Sequence, residues 1–111
     1  MKPETEDLAS RIRVALRNEQ NLSERNMFGG VCFMLNGNML CGASNTGNLL
    51  LRVGAEREAD ARTKPHTTEM NFTGRPMRGY IYVMPPGFAD DQDLAKWLAT
   101  AKEFVCGLPP K

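Results

Sequence analysis

This sequence is poor in the residues from which most active sites are built: one histidine, one tryptophan and three cysteines in 111 residues. A lone His66 has no serine or cysteine tied to it by a recognisable motif, so no general acid–base or nucleophilic pair is spelled out and no enzymatic activity is expected. The cysteines are odd in number and lack the close-spaced pairs of a zinc site, which excludes a disulfide framework of the secreted type. No metal and no cofactor is expected. No apolar run approaches the roughly 20 residues of a membrane span, and Met1 to Asp7 carries no apolar stretch, so a cytoplasmic protein without membrane attachment is expected. Charge of one sign is not in excess either. A net charge of +1 argues against a surface built to neutralise a nucleic-acid backbone, and direct nucleic-acid binding is not expected.

What is present fits one soluble domain over residues 1–111, 41% hydrophobic and 24% charged. Leu8, Ile12, Ala15 and Leu16 recur at helical spacing behind Thr5, a candidate cap, and predict a helix from Glu6 to Asn18. Asn18 to Asn26 is polar and reads as a loop. Phe28 to Leu35 reads as a strand that turns at Asn36-Gly37, the dipeptide of a type I′ hairpin. A two-residue loop there sets Leu35 opposite Asn38, Met34 opposite Met39, Phe33 opposite Leu40 and Cys32 opposite Cys41. A turn at Ser44 to Gly47 leads to a third strand, Asn48 to Val53, and then to a short charged helix, Ala55 to Arg62. After a loop from Thr63 to Glu69 come a short strand from Met70 to Thr73 and a longer one from Gly79 to Met84. Asp90 or Asp91 caps a final helix with the apolar stripe Leu94, Trp97, Leu98, Ala101 and Phe104. The prediction is a two-layer α+β domain with a five-stranded antiparallel sheet, in the order α-β-β-β-α-β-β-α.

Three stretches carry a resemblance: Met27-Phe28-Gly29-Gly30, Gly74-Arg75-Pro76-Met77 before an aromatic strand, and the final helix with Asp91, Leu94, Trp97 and Ala101. With these the chain, from about Leu8 to Phe104, resembles the amino-terminal domain of TfoX/Sxy-type competence regulators, here without their carboxy-terminal helical domain. The resemblance implies a non-enzymatic regulatory or adaptor domain acting by protein–protein interaction and linked to transcriptional regulation of competence genes. It implies no catalytic residues. The alternative is a small-molecule or nucleotide domain that holds an anion on Arg52, Arg75 and Arg78. Arg75 and Arg78 flank a turn, and Arg52 lies on an otherwise apolar strand where a charge must reach water or a partner.

Other candidates have ordinary explanations. Gly29-Gly30 leads into a strand, not a helix, so it suits a bulge or a close backbone approach and not a phosphate loop. Cys32 and Cys41, if paired across the hairpin, sit near enough for redox chemistry, but buried cysteine commonly packs as a small hydrophobe. Alternation places Val31, Phe33 and Leu40 on one side of the hairpin and Cys32, Met34, Met39 and Cys41 on the other, so both sides are apolar. Helices cover one; the second predicts a protein partner or a homodimer, with Met34 and Met39 at its interface.

Overall fold

In this computed structural model, which describes residues 2–27, 29–72 and 75–111 except for the side chains of 71, 72, 75 and 76, three helices lie against one antiparallel sheet. The elements are α1 (Pro3–Ala15), β1 (Leu22–Met27), β2 (Gly30–Leu35), β3 (Asn38–Ala43), β4 (Leu49–Arg52), α2 (Ala55–Ala61), β5 (Thr67–Phe72), β6 (Arg75–Val83), a 3₁₀ turn (Pro85–Phe88) and α3 (Asp91–Val105). Strand order is β1-β2-β3-β4-β6-β5. The α+β class is as expected, but the sheet has six strands, not five. The added strand is β1, within the stretch read as a polar loop. Its Ser23 to Asn26 are exposed, so no burial pattern marks it; its ladder to β2, from Leu22 opposite Leu35 to Met27 opposite Gly30, makes it a strand.

Helix α1 starts at Pro3, whose fixed φ suits a first helical position. Thr5 is therefore not its cap. The Thr5 side chain is buried, and its hydroxyl donates to the Ser44 carbonyl at 2.8 Å, fastening α1 to the β3–β4 turn. Asp90 does occupy the N-cap position of α3, although its side chain makes no capping hydrogen bond.

The β2–β3 hairpin turns where expected, with Asn36 at φ 54° and Gly37 at φ 82°, and Leu35 and Met34 face Asn38 and Met39. Beyond that pair the ladder shifts. Phe33 faces Cys41 and Cys32 faces Gly42, so the expected Cys32–Cys41 pairing is wrong. A β-bulge with Leu40 as the extra residue places Leu40 and Cys41 in the same core, and it carries Ala43 there too. Gly42 then falls on the other face, where a Cβ would stand 3.2 Å from the Cys32 sulfur. Gly30 is the other requirement, since a Cβ there would lie 2.0 Å from the Ala43 carbonyl oxygen. Of the pair Gly29-Gly30, Gly30 serves a close backbone approach and Gly29 takes a positive φ of 75°.

On the helix side, Leu8 and Ile12 of α1 and Leu94, Leu98, Ala101 and Val105 of α3 pack over Phe33, Leu40, Leu49, Leu51, Ile81 and Val83. Ala61 of α2 joins the same core. The opposite face holds a second cluster of Cys32, Met34, Met39, Leu50 and Met70, flanked by Met27, Met77, Tyr80 and Tyr82. This face is not left bare: Met34 and Met39 are 9% and 7% exposed within the single chain. The β5–β6 hairpin adds residues to the same cluster. Glu69 faces Ile81 but Asn71 faces Pro76, so Met70 alone spans the length of Met77 to Tyr80, and the irregular hairpin contributes Met70, Met77, Tyr80 and Tyr82 to the cluster.

Candidate functional site

An apolar groove lies between α1 and α3. The apolar stripe of α1 turns Leu8 and Ile12 inward, and Val14, off that stripe, is left 60% exposed. Beside it the buried Leu94 forms the floor of a groove of about 510 Å³, with Ala15 and Ala95 on its walls and Arg11 and Asp91 at one end. Arg11 holds the two helices in place. Its Nη2 donates to the Phe88 carbonyl at 2.8 Å and to Asp91 Oδ1 at 3.1 Å, and its guanidinium lies 5.7 Å from the Phe88 ring centre. At the other end Arg17 donates from Nη1 to the Val14 carbonyl at 2.9 Å, satisfying a helix-end acceptor. Sequence reading missed this groove. The available signal was Val14, a branched apolar residue outside the stripe that otherwise explains the helix.

Of the residues expected to bind an anion, Arg52 lies on β4 opposite Tyr80 of β6, the strand that also carries Arg78. Arg52 is half-buried at the end of β4, with its guanidinium 5.6 Å from the centre of Tyr80 and 5.7 Å from that of Phe104. Two aromatic rings thus solve the problem of a charge on an apolar strand. Gly54, at φ 88°, allows this closeness: a Cβ there would stand 2.5 Å from Phe104 Cδ1. Arg78 is exposed on β6, and the side chain of Arg75 lies outside the described ones.

Burial pushes the Cys32 thiol up to about 11 and raises that of Cys41, with Cys32 itself adding to the second shift. Both stay protonated at neutral pH, the unreactive form. No group of three or more histidine, cysteine, aspartate or glutamate side chains placed to hold a metal ion occurs among the described residues. No helix among them is long and apolar enough to cross a membrane.

The family profile of the TfoX N-terminal domain matches residues 15–105, from the last residue of α1 to the last of α3. The chain belongs to the TfoX N-terminal domain family. That family is associated with competence regulation. No curated protein matches the chain. The match takes in the whole sheet and the α3 wall of the groove, while most of the α1 wall precedes it. In this TfoX N-terminal domain, Val14 and Arg11 are therefore features of the chain outside the matched stretch.

Proposed function

We propose that this TfoX N-terminal domain is a non-enzymatic regulatory adaptor that acts by protein–protein interaction, with a role in regulating competence genes. The observation that carries this reading is the Val14 surface above Leu94, an apolar groove with charged ends between two helices braced by Arg11. Its occupant is an amphipathic helix of the partner, laid along α1 and α3 as a third helix, because Val14, Ala15, Leu94 and Ala95 offer apolar contact while Asp7, Arg11, Arg17 and Asp91 border it with charge. A photo-crosslinking residue at position 14, compared with one at exposed Arg25 on β1, tests it in cells producing the protein. A single protein crosslinked from position 14 and absent when the facing groove residue carries Ala95→Asp supports the adaptor. The same products from both positions overturn it.

The alternative, a small anion held by Arg52, Arg75 and Arg78, has one observation in its favour: Arg52 makes no ion pair with a described residue. Its test is phosphate-dependent thermal stabilisation that disappears in Arg52→Gln.

A further inference from the structure

On the far side of α3 from the α1 groove, the only tryptophan and the only histidine of the chain line one cleft of about 300 Å³. Trp97 stands on α3, and Lys96 beside it also lines the cleft. Lys64, Pro65 and His66 come from the turn before β5, and Pro86 and Gly87 from the 3₁₀ turn. The indole is fixed, its Nε1–H donating to the Gly87 carbonyl at 3.1 Å. Lys64 Nζ lies 5.7 Å from the centre of that ring. His66 is held at φ 67°, a backbone region few residues with a side chain adopt, and its carbonyl accepts from the Met84 N–H at 2.7 Å. Gly87 lets the walls close: a Cβ there would be 2.6 Å from Val83 Cγ1 and 3.2 Å from His66 Cβ.

The charges of the cleft are uncommitted. Neither Lys64, Lys96 nor Asp93 makes an ion pair among the described residues, whereas Arg11, Arg13, Arg57, Arg62 and Lys102 all do. Two ammonium groups and an imidazole thus border a fixed indole and two proline rings, with the Asp93 carboxylate also on the wall. An aromatic face shared with a cation seats a planar ring, and an anion attached to that ring takes the cation. A carboxylate on the same wall repels a bare dianion but accepts hydrogen bonds from hydroxyl or amino groups. A cleft of 300 Å³ is at the small end of ligand sites, near the size for one nucleotide.

We infer that the Lys64–His66–Lys96–Trp97 cleft binds a nucleoside monophosphate, its base stacked on Trp97, its phosphate on the two lysines and His66, and its sugar hydroxyls or base amines on Asp93. The site is separate from the α1–α3 groove, so its test is independent of the adaptor reading. Trp97, as the chain's one tryptophan, reports on this cleft alone in fluorescence and in the indole N–H resonance of a ¹⁵N spectrum. Titration with each of the four ribonucleoside 5′-monophosphates should shift that resonance saturably for at least one of them, with a Kd below about 1 mM. Inorganic phosphate and the matching nucleoside, each lacking half of the contacts, should bind at least about tenfold more weakly. A Lys64→Ala/Lys96→Ala variant with an unchanged melting curve should lose about tenfold or more in affinity. Phosphate binding as well as the nucleotide does, an unchanged Kd in the double variant, or no saturable shift with any of the four nucleotides overturns the inference.

Discussion

Gly30 and Gly42 are the residues at which side-chain pattern and backbone part company. The Asn36-Gly37 turn was legible because two adjacent positive φ values demand those residue types. The bulge at Leu40 was not, because counting across a two-residue turn assumes a regular ladder, and the glycines that permit departure from it look like any others. Gly30→Ala should cost more than about 2 kcal/mol, roughly 8 °C or more in melting temperature, since the new Cβ runs into the Ala43 carbonyl. Gly107→Ala is the control, meeting nothing closer than 3.4 Å. Equal melting temperatures for the two variants would refute the close approach. The same bulge decides cysteine chemistry. Cys32 and Cys41 sit in different apolar clusters, and with the Cys32 thiol near 11 only about one in a thousand is ionised at pH 8. A thiol reagent should modify exposed Cys106 quickly and the other two only on unfolding. Rapid reaction of two thiols in the native protein would contradict this.

Among the elements, the two long helices were legible from their stripes, and β2, β3, β4 and β6 from apolar and aromatic runs. Strand β1 was not, because an exposed edge strand owes its conformation to the neighbour it pairs with and not to the periodicity of its own side chains. Part of its anchorage is ionic. Arg13 of α1 grips Glu24 of β1 through Nε at 2.7 Å and Nη2 at 2.9 Å, and these hydrogen bonds hold the Glu24 carboxyl below its ordinary range. A carboxyl depressed in the folded state binds fewer protons there than in the unfolded chain. The pair's contribution is therefore complete above the ordinary glutamate range and disappears as pH falls through the lowered value. Both side chains are substantially exposed, so the contribution is about 0.2–1 kcal/mol. Glu24→Gln should melt a few degrees below wild type at pH 7, by this scale, and the gap should close as pH falls through the lowered Glu24 value, where wild type loses the charge that the variant lacks throughout. A gap of constant size across that range would mean that the charge on Glu24 contributes nothing.

For the whole molecule, the alternation of the hairpin showed correctly that both sheet faces are apolar, but not what covers the second one. The β5–β6 hairpin, which adds Met70 and Met77 to that face, departs from a regular ladder between Glu69 and Asn71 with no local sequence signal beyond Gly79, which sits at φ 88°. Five of the seven methionines, at 27, 34, 39, 70 and 77, gather on that face. Flexible thioether side chains fill an irregular apolar space better than branched ones do. Within the single chain the face packs as a second small apolar cluster. A core role and an interface role differ measurably. If Met34 and Met39 were at an interface, Met34→Glu/Met39→Glu would separate protomers and leave each folded. As core residues they should instead carry two carboxylates into an apolar cluster, at a cost of several kcal/mol against the roughly 5–15 kcal/mol that holds a domain of this size together. The double variant should lose most of its cooperative melting transition at 25–37 °C by circular dichroism, at any protein concentration. A variant that melts like wild type but sediments as a smaller species would restore the interface reading and displace the core one.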